Sequence, residues 1–324
     1  IVIGASGLPT PPGADTAVVP AGTAGNLVVL PWAGFKAALS VTLDDSTPSQ
    51  IKHEPEIAAT GVPVTWYITS SYNWIAGYDA ALKDALAKGM DLGNHTVHHC
   101  GASLAGCSGA LASIDAEVDD CTSYIKDHAG VGNVYTMAYP FGDSGYAATA
   151  QARFFLGRGI SGGTVAPNDA TDPFALPVYG TAGGESADPF NEKVDTARTE
   201  GKWTLFLFHG LQPDAEGWEY NPVNVTTVTG TIEHAKALGD VWIDSVTAVG
   251  AYWLGQKTFQ AVTPSTAGSV TTWTWTLPAH FPPGKYLRVK VDGGSLKQGD
   301  TTLAWDGHGY YEVALDPGTL TLSP

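Results

Sequence analysis

Short apolar runs typical of buried strands alternate with amphipathic helical segments between residues 33 and 255 of this 324-residue chain. Residues 37–43 are almost entirely apolar and end at Asp44-Asp45, as expected of a buried parallel strand whose polar residues begin at its carboxyl end. The helical pattern is clearest over residues 111–125, where apolar side chains recur three or four positions apart. This alternation predicts an α/β fold built on a parallel sheet, either a barrel or a doubly wound sheet. We predict strands at 37–43, 62–68, 90–92, 135–138, 158–161, 203–208 and 241–243, and helices at 79–88, 111–125 and 228–238.

The two flanks of this region differ from it in pattern. Residues 1–32 are rich in proline and glycine and have no period, which predicts an extended arm. Residues 256–324 contain three runs in which apolar and polar residues alternate, separated by Pro-Pro-Gly and Asp-Gly-Gly turns. We therefore predict three parts: the arm 1–32, an α/β domain 33–255 and a small antiparallel β domain 256–324.

The charge balance excludes two classes of partner. The chain has 16 Lys and Arg against 32 Asp and Glu, a net charge of −16, and charged residues make up only 15% of it. So few cations cannot neutralise a nucleic-acid backbone or hold the protein on an anionic lipid surface. The most apolar stretch, residues 27–43, is interrupted by Pro31, Gly34 and Lys36, so no membrane span is predicted.

Composition and cysteine use indicate an exported protein. The chain is poor in lysine and rich in aromatic residues, a composition common among exported carbohydrate-active proteins, and it begins at Ile1, as a processed chain would. Cys100 and Cys107 bracket a short loop and are predicted to form a disulfide, whereas Cys121 lies on an apolar helical stripe and is predicted to be a buried thiol. We expect a secreted, periplasmic or cell-surface location.

Two histidines at the end of a predicted strand are the strongest chemical feature of the sequence. His95 and His99 are four residues apart, a spacing that directs both imidazoles to one side of a helical turn. Asp44-Asp45 follows another strand, and the carboxyl ends of the strands in a parallel barrel open on one face. Two imidazoles and a carboxylate, with open positions for water, are the ligand set of a hydrolytic divalent-metal site. His98, between the two ligands, is expected to point away.

Two further strand ends present groups that suit hydrolysis. His209 follows one apolar strand, and a tight Tyr-Pro-Phe-Gly turn at residues 139–142 presents backbone N–H groups after another. Taken alone, His209 is better explained as a histidine that caps a buried strand, and the turn as an ordinary loop. We consider both as candidate site groups because their strands are expected to end at the same face as the two histidines.

The chain resembles the polysaccharide deacetylase domain (carbohydrate esterase family 4) in the order of four motifs: Leu43-Asp44-Asp45, His95-Thr-X-X-His99, Tyr139-Pro-Phe-Gly142 and Leu205-Phe-Leu-Phe-His209. The resemblance covers about residues 33–255. It implies an irregular (β/α) barrel of about seven parallel strands.

The resemblance also implies a role for each residue. One divalent ion, expected to be zinc, would be bound by Asp45, His95 and His99. Asp44 would be the general base that takes a proton from water. The backbone N–H of Phe141 would stabilise the oxyanion, and His209 would be the general acid.

Two features of the family pattern are missing from this chain. Ala138 replaces the arginine that begins the third motif and holds the base, and the fourth motif, an Asp shortly before a Trp, has no clear match. Asp244, which also follows a predicted strand, is the carboxylate predicted to reach His209. Tyr139 and Trp218 are expected to contact the sugar, Trp218 by stacking its ring.

We therefore predict a secreted metal-dependent deacetylase that acts on an acetylated polysaccharide or oligosaccharide, at N-acetyl or O-acetyl groups. One alternative is a non-catalytic carbohydrate-binding protein, in which the missing motif residues mark lost catalysis. Another is a metal hydrolase of the same fold that acts on a non-sugar amide or ester. Retention of Asp44 and His209, which a binding protein does not need, favours the deacetylase.

Overall fold

The described part of the chain, residues 6–324 of a computed structural model, contains seven α-helices and nineteen strands. The beginning of the predicted arm, residues 1–5, lies outside this range. The helices are α1 (Pro48–Ala58), α2 (Tyr78–Ala87), α3 (Ile114–Tyr124), α4 (Ala147–Gln151), α5 (Asp188–Glu200), α6 (Val225–Leu238) and α7 (Val246–Gln260). The strands are β1 (Val28–Val29), β2 (Ala37–Asp45), β3 (Thr65–Ile68), β4 (Asp91–Asn94), β5 (Thr136–Ala138), β6 (Leu156–Arg158), β7 (Thr164–Val165), β8 (Trp203–Phe208), β9 (Leu211–Gln212), β10 (Val223–Asn224), β11 (Val241–Ile243), β12 (Ser265–Ala267), β13 (Val270–Thr274), β14 (Tyr286–Lys290), β15 (Ser295–Gln298), β16 (Thr301–Thr302), β17 (Trp305–Asp306), β18 (Tyr310–Ala314) and β19 (Thr319–Ser323).

Seven parallel strands form a curled sheet. β2 lies at its centre, because it pairs with β8 along one edge and with both β11 and β3 along the other. From β3 the sheet continues through β4 and β5 to β6. Isolated bridges from Arg158 to Leu176 and from Tyr179 to Phe206 connect the β6 side with β8. The predicted (β/α) barrel of about seven parallel strands is confirmed, and the short β7 adds one antiparallel strand beside β8.

The central strands are buried on both faces, as their apolar sequences predict. β8 is buried along its whole length and β2 along all but its last residue. Helices on the outside of the sheet each contribute an apolar stripe to the core, such as Val118 and Cys121 of α3. The polar residues that follow each strand therefore emerge together at one end of the barrel.

Two antiparallel sheets form the C-terminal part, with strand orders β1-β14-β18-β17 and β12-β13-β19-β15-β16. The predicted antiparallel β structure is thereby confirmed. β1 comes from the predicted arm and pairs with β14, so the arm contributes a strand to the first sheet. The predicted boundary between residues 255 and 256 falls inside α7, which packs against both β2 and β14. None of the helices within residues 6–324 is long and apolar enough to cross a membrane.

Candidate active site

The carboxyl ends of the barrel strands surround a cavity of about 480 Å³. Loops that follow β2, β4, β5 and β8 supply its walls. Eight of the nine predicted site residues line it, and these are Asp44, Asp45, His95, His99, Tyr139, Phe141, His209 and Trp218. The structure therefore brings together side chains that are up to 174 positions apart in sequence, from Asp44 to Trp218 (218 − 44).

Asp45, His95 and His99 bring three possible metal-ligand atoms close together. Nε2 of His95 lies 3.4 Å from Oδ1 of Asp45, and Nε2 of His99 lies 3.5 Å from the same oxygen. Nδ1 of His95 donates a hydrogen bond to the carbonyl oxygen of Ala138 at 2.9 Å, which leaves Nε2 free to act as a ligand. The predicted helical turn is wrong, because the chain is irregular here. Left-handed φ angles at Thr96 (70°) and His99 (54°) bring the two imidazoles together instead.

These three residues fit a divalent ion. Their ligand atoms all lie within 4.8 Å of one another, and a carboxylate oxygen with two imidazole nitrogens is a common zinc donor set. Oδ1 of Asp45 is buried and has no hydrogen-bond partner within residues 6–324. A buried carboxylate oxygen without a partner is costly, and a bound cation would remove that cost.

The charge states of the three residues also suit metal binding. Burial, together with the nearby charge of His95, lowers the pKa of His99 to about 4, so this imidazole is uncharged at neutral pH. Burial alone would raise the pKa of Asp45, but the nearby imidazole of His95 lowers it well below its usual range. The site therefore presents an ionised carboxylate and at least one neutral imidazole before any ion arrives.

Backbone strain is concentrated at this site. Asp45, Thr96, His99 and Phe141 all have left-handed φ angles, between 54° and 76°. Such angles cost a non-glycine residue on the order of 1–3 kcal/mol and persist only where the surrounding structure holds them. Buried Gln50 is one source of that support. Its side-chain amide donates to the carbonyl oxygen of Asp44 at 2.6 Å and to that of His209 at 2.9 Å.

Arg158 supplies the guanidinium that the sequence motif lacks. It forms a buried ion pair with the carboxylate of Asp44, and its guanidinium lies 4.6 Å from the ring centre of Tyr67. Arg158 is the last residue of β6, and its register partner on β5 is Ala138. The arginine therefore comes from the neighbouring strand, directly across from the position at which the family pattern has one. Sequence reasoning missed it because it placed a strand at 158–161, which puts Arg158 at the wrong end.

His209 has no equivalent partner. Its Nδ1 is buried and has no hydrogen-bond partner within the described range, residues 6–324. Burial lowers the pKa of His209, while the charges of Asp44 and Asp45 act in the opposite direction. The prediction that Asp244 reaches His209 is wrong. Asp244 lies outside the active-site cavity, where it accepts hydrogen bonds from the Trp242 indole at 3.1 Å and its neighbouring backbone N–H at 2.7 Å. β11 is short and pairs with the beginning of β2, so its carboxyl end does not extend to the level of the cavity.

Aromatic side chains form the outer walls of the cavity. Trp218, 46% exposed, packs edge to face against Tyr72, with ring centres 5.4 Å apart. Tyr220, 61% exposed, packs against the His209 ring at 5.1 Å, and on the other side Phe141 packs against the His99 ring at 4.5 Å. Tyr72 and Tyr220 were not predicted. The sequence signal for Tyr220 was its position two residues after Trp218 in the loop that follows His209.

Three predictions about His98 and the cysteines are confirmed. His98 points away from the metal-ligand atoms, as predicted, and its Nδ1 lies 2.9 Å from Oε1 of buried Glu117. Cys100 and Cys107 form the predicted disulfide, and Cys121 is the predicted buried thiol.

The fold and the cavity together define a class of protein. It is a parallel (β/α) barrel that is able to hold a divalent ion beside an ionisable carboxylate, a third histidine and an aromatic-walled opening. Such a set of groups suits hydrolysis of an acyl bond.

Comparison with known proteins finds similarity to one family. Residues 36–155 match the family model described as polysaccharide deacetylase, a segment that includes the Asp-Asp, His-X-X-X-His and Tyr-Pro-Phe-Gly motifs but ends before His209. No curated protein sequence matches the chain. A structure from Mycobacterium smegmatis, assigned to the polysaccharide deacetylases, is similar over 78% of this chain and 98% of its own, with 11% identity and a TM-score of 0.52.

Two further solved structures are similar at lower TM-scores. The catalytic domain of a peptidoglycan N-acetylglucosamine deacetylase from Eubacterium rectale matches over 70% of this chain and 93% of its own (16% identity, TM-score 0.44). A carbohydrate esterase family 4 domain of a xylanase from the hindgut metagenome of Trinervitermes trinervoides matches over 65% and 88% (15% identity, TM-score 0.42). The family match and the Mycobacterium smegmatis fold confirm the predicted resemblance to the polysaccharide deacetylases.

Proposed function

We propose that this chain is a metal-dependent carbohydrate deacetylase that hydrolyses N-acetyl or O-acetyl groups of a polysaccharide or oligosaccharide. The observation that carries the proposal is the arrangement of Asp45, His95 and His99 in one cavity with the ion pair between Asp44 and Arg158. Asp45, His95 and His99 would hold a divalent ion, which when bound would lower the pKa of water and polarise the acetyl carbonyl group.

Asp44 is the group that takes the proton from the attacking water. Its carboxylate is almost fully buried, and the guanidinium of Arg158 holds it in one orientation. The attack forms a bond from the water oxygen to the acetyl carbon, and negative charge develops on the carbonyl oxygen. The backbone N–H of Phe141, in its left-handed turn beside His99, is the donor available to that oxygen.

His209 gives a proton to the departing sugar oxygen or nitrogen as its bond to the acetyl carbon breaks. Acetate and a free sugar hydroxyl or amine are the products. Burial lowers the pKa of His209, which makes its protonated form a stronger acid. The imidazole packs edge to face against the exposed Tyr220 ring, which also lines the cavity.

The ion pair also bears on the alternative of a binding protein without activity. Asp44 is not one of the three metal-ligand residues, so its buried ion pair with Arg158 is not needed to hold an ion. A carboxylate held in one orientation is what a general base needs, and this favours an enzyme over a binding protein. A secreted, periplasmic or cell-surface location is part of the proposal. It is supported by the disulfide between Cys100 and Cys107, because such bonds persist in oxidising compartments.

Acetate release from acetylated xylan and from chitooligosaccharides tests this function. We expect acetate from at least one of them, loss of activity after chelation and its return when zinc is added. His99→Ala should lose both bound zinc and acetate release, whereas His98→Ala, its neighbour outside the metal group, should keep both. Binding of either glycan without any acetate release would support the binding protein instead. Turnover of a small aryl acetate with no activity on any glycan would support a non-sugar substrate.

A further inference from the structure

A second cavity adjoins the active-site cavity beyond Ile160. Its volume is about 330 Å³, within the range of roughly 300–1,000 Å³ that small-molecule sites occupy. Tyr139 and Ile160 line both cavities. A ligand with several linked units is therefore able to occupy both cavities at once.

The wall between the two cavities is built from fixed groups. The Tyr139 hydroxyl donates to the carbonyl oxygen of Phe174 at 2.8 Å. Gly142 has a left-handed φ of 68°, and a Cβ atom at this position would lie only 2.4 Å from Cγ1 of Ile160. A glycine is thus needed for Ile160 to lie against the turn that also carries Phe141.

The lining of the second cavity suits an uncharged sugar. Ser144 and Ser161 line it, and both residues are exposed, so a ligand has access to their hydroxyls. Phe174 lines the same cavity, and none of the described residues in that lining carries a charge. Free hydroxyls hydrogen-bond to sugar hydroxyls, and an aromatic ring packs against the C–H face of a sugar.

We propose that the second cavity is a subsite for an uncharged sugar unit linked to the acetylated one, held by Ser144, Ser161 and Phe174. The inference rests on the proposed function, since it assigns a neighbouring unit of the same glycan. It makes this protein selective for oligomers over monosaccharides, and for neutral units over acidic ones at this position.

The test compares acetylated substrates of one and three sugar units, from both the xylo- and chito-series, on the intact zinc-loaded chain. We expect wild-type kcat/KM to rise by about tenfold or more from one unit to three. The double variant Ser144→Ala/Ser161→Ala should lose about tenfold in kcat/KM on the trisaccharide, as two lost hydrogen bonds imply. The loss on the monosaccharide should be far smaller.

The matched control is Ser265→Ala/Ser269→Ala, two exposed serines of the C-terminal part that line neither cavity. It should keep the wild-type preference for the trisaccharide. The subsite is contradicted if the wild type shows no preference for the longer substrate, or if the Ser144/Ser161 variant keeps that preference. Neither result would affect the proposed deacetylase activity, which fails only if the wild type releases no acetate from any of these glycans.

Discussion

The residue that most changes the interpretation of this site is Arg158. A general base needs a partner that holds its carboxylate in place, and the chain has Ala138 where the family pattern has an arginine. The cross-strand partner of Ala138 is Arg158, and its guanidinium pairs with Asp44 in the buried floor of the site. One strand thus supplies the group that its neighbour lacks.

Replacement of Arg158 should therefore impair the reaction but not metal binding. We expect Arg158→Met to lower kcat for acetate release by about a hundredfold or more, because the base loses its orientation. Bound zinc, measured by mass spectrometry of the native protein, should stay at the wild-type level. Arg158→Lys should recover part of kcat, since it restores a positive charge.

The matched control for this variant is Arg153→Met, which removes an arginine that pairs with Asp119 near the surface. It should have wild-type activity. Breaking a buried ion pair also lowers stability, so each variant is assayed well below its own melting temperature. A folded Arg158→Met protein with wild-type kcat would contradict the assignment of Arg158 as the positioning residue.

Metal binding should weaken as the pH falls, because His95 must lose its proton to act as a ligand. Burial alone would lower the pKa of His95, but the charges of Asp44 and Asp45 raise it above the ordinary value. Zinc affinity should therefore fall as the pH drops through this raised pKa, while His99, with its pKa of about 4, stays neutral.

The measurement is zinc affinity against a competing chelator between roughly pH 5.5 and pH 8. Asp44→Asn removes one of the charges that raise the pKa of His95, so its zinc affinity should begin to fall at a lower pH than that of the wild type. An affinity that does not change with pH over this range would contradict the account.

The sequence was sufficient for the residues that follow strands 37–43, 90–92, 135–138 and 203–208, because an apolar run that ends in polar groups marks a strand end directly. Arg158 escaped the same reasoning. Glycines flank it on both sides and Ile160 follows, so the pattern placed the strand two residues too late. A buried arginine is also rare, and only the position of its partner across the sheet explains it.

At the scale of elements, successive side chains in the segment between β8 and α6 point alternately toward the active-site cavity and into the protein. Trp218 and Tyr220 line the active-site cavity, whereas Glu219 between them points inward and is only 5% exposed. Its carboxylate accepts hydrogen bonds from the Thr47 hydroxyl at 2.7 Å and from the side chain and backbone of Ser49. The aromatic wall is thereby anchored to the beginning of α1, the helix that follows Asp44-Asp45 along the chain.

Glu219→Gln should loosen this anchor and affect large substrates most. The variant exchanges charged hydrogen bonds for weaker neutral ones, so we expect about a fivefold loss in kcat/KM on an acetylated trisaccharide, mainly through KM. Hydrolysis of a small aryl acetate should change much less, because it does not reach the aromatic wall. The control is Glu233→Gln, which alters an exposed carboxylate on α6. Equal losses on both substrates would show that Glu219 acts on the whole fold and not on the wall.

Four helices were not predicted: the short α4 and three longer ones, each of the longer ones for a physical reason. α1 has prolines at its start and near its end, and α5 is so polar that only Phe190, Val194 and Ala197 mark its buried face. α7 is buried on almost every side between the barrel and the C-terminal sheets, so it has no clear polar face to give a helical period. The hydrophobic pattern of a sequence therefore identifies amphipathic helices far better than helices that are almost entirely polar or almost entirely buried.

At the scale of the whole molecule, the arm, the barrel and the C-terminal sheets share one apolar core. Trp203 of β8 and Trp253 of α7 belong to the same buried cluster as Leu287 and Val313 of the C-terminal sheet. Arg288 of β14 is fully buried, and it donates to the carbonyl oxygens of two segments near the N-terminus, at 2.7 and 2.9 Å. The parts predicted as separate from sequence are thus closely joined by packing and hydrogen bonds.

Heating should therefore unfold the chain in one cooperative transition, recorded in parallel by calorimetry and tryptophan fluorescence. Arg288→Met should lower the temperature of that single transition by on the order of 10 °C, because it leaves buried carbonyl oxygens without their donor and Glu312 without its ion-pair partner. Arg153→Met again serves as the surface control. Two separate transitions in the wild type, or early loss of the C-terminal sheets alone, would contradict a shared core.

The division of labour between two adjacent carboxylates is the central claim, and Asp44→Asn tests it most directly. Acetate release from an acetylated oligosaccharide and zinc bound per chain are measured on the same preparation. We predict that Asp44→Asn binds zinc like the wild type but releases acetate about a thousandfold more slowly or less. Acetate release by Asp44→Asn at the wild-type rate, or loss of its zinc, would contradict the claim that Asp44 is the base and Asp45 the ligand.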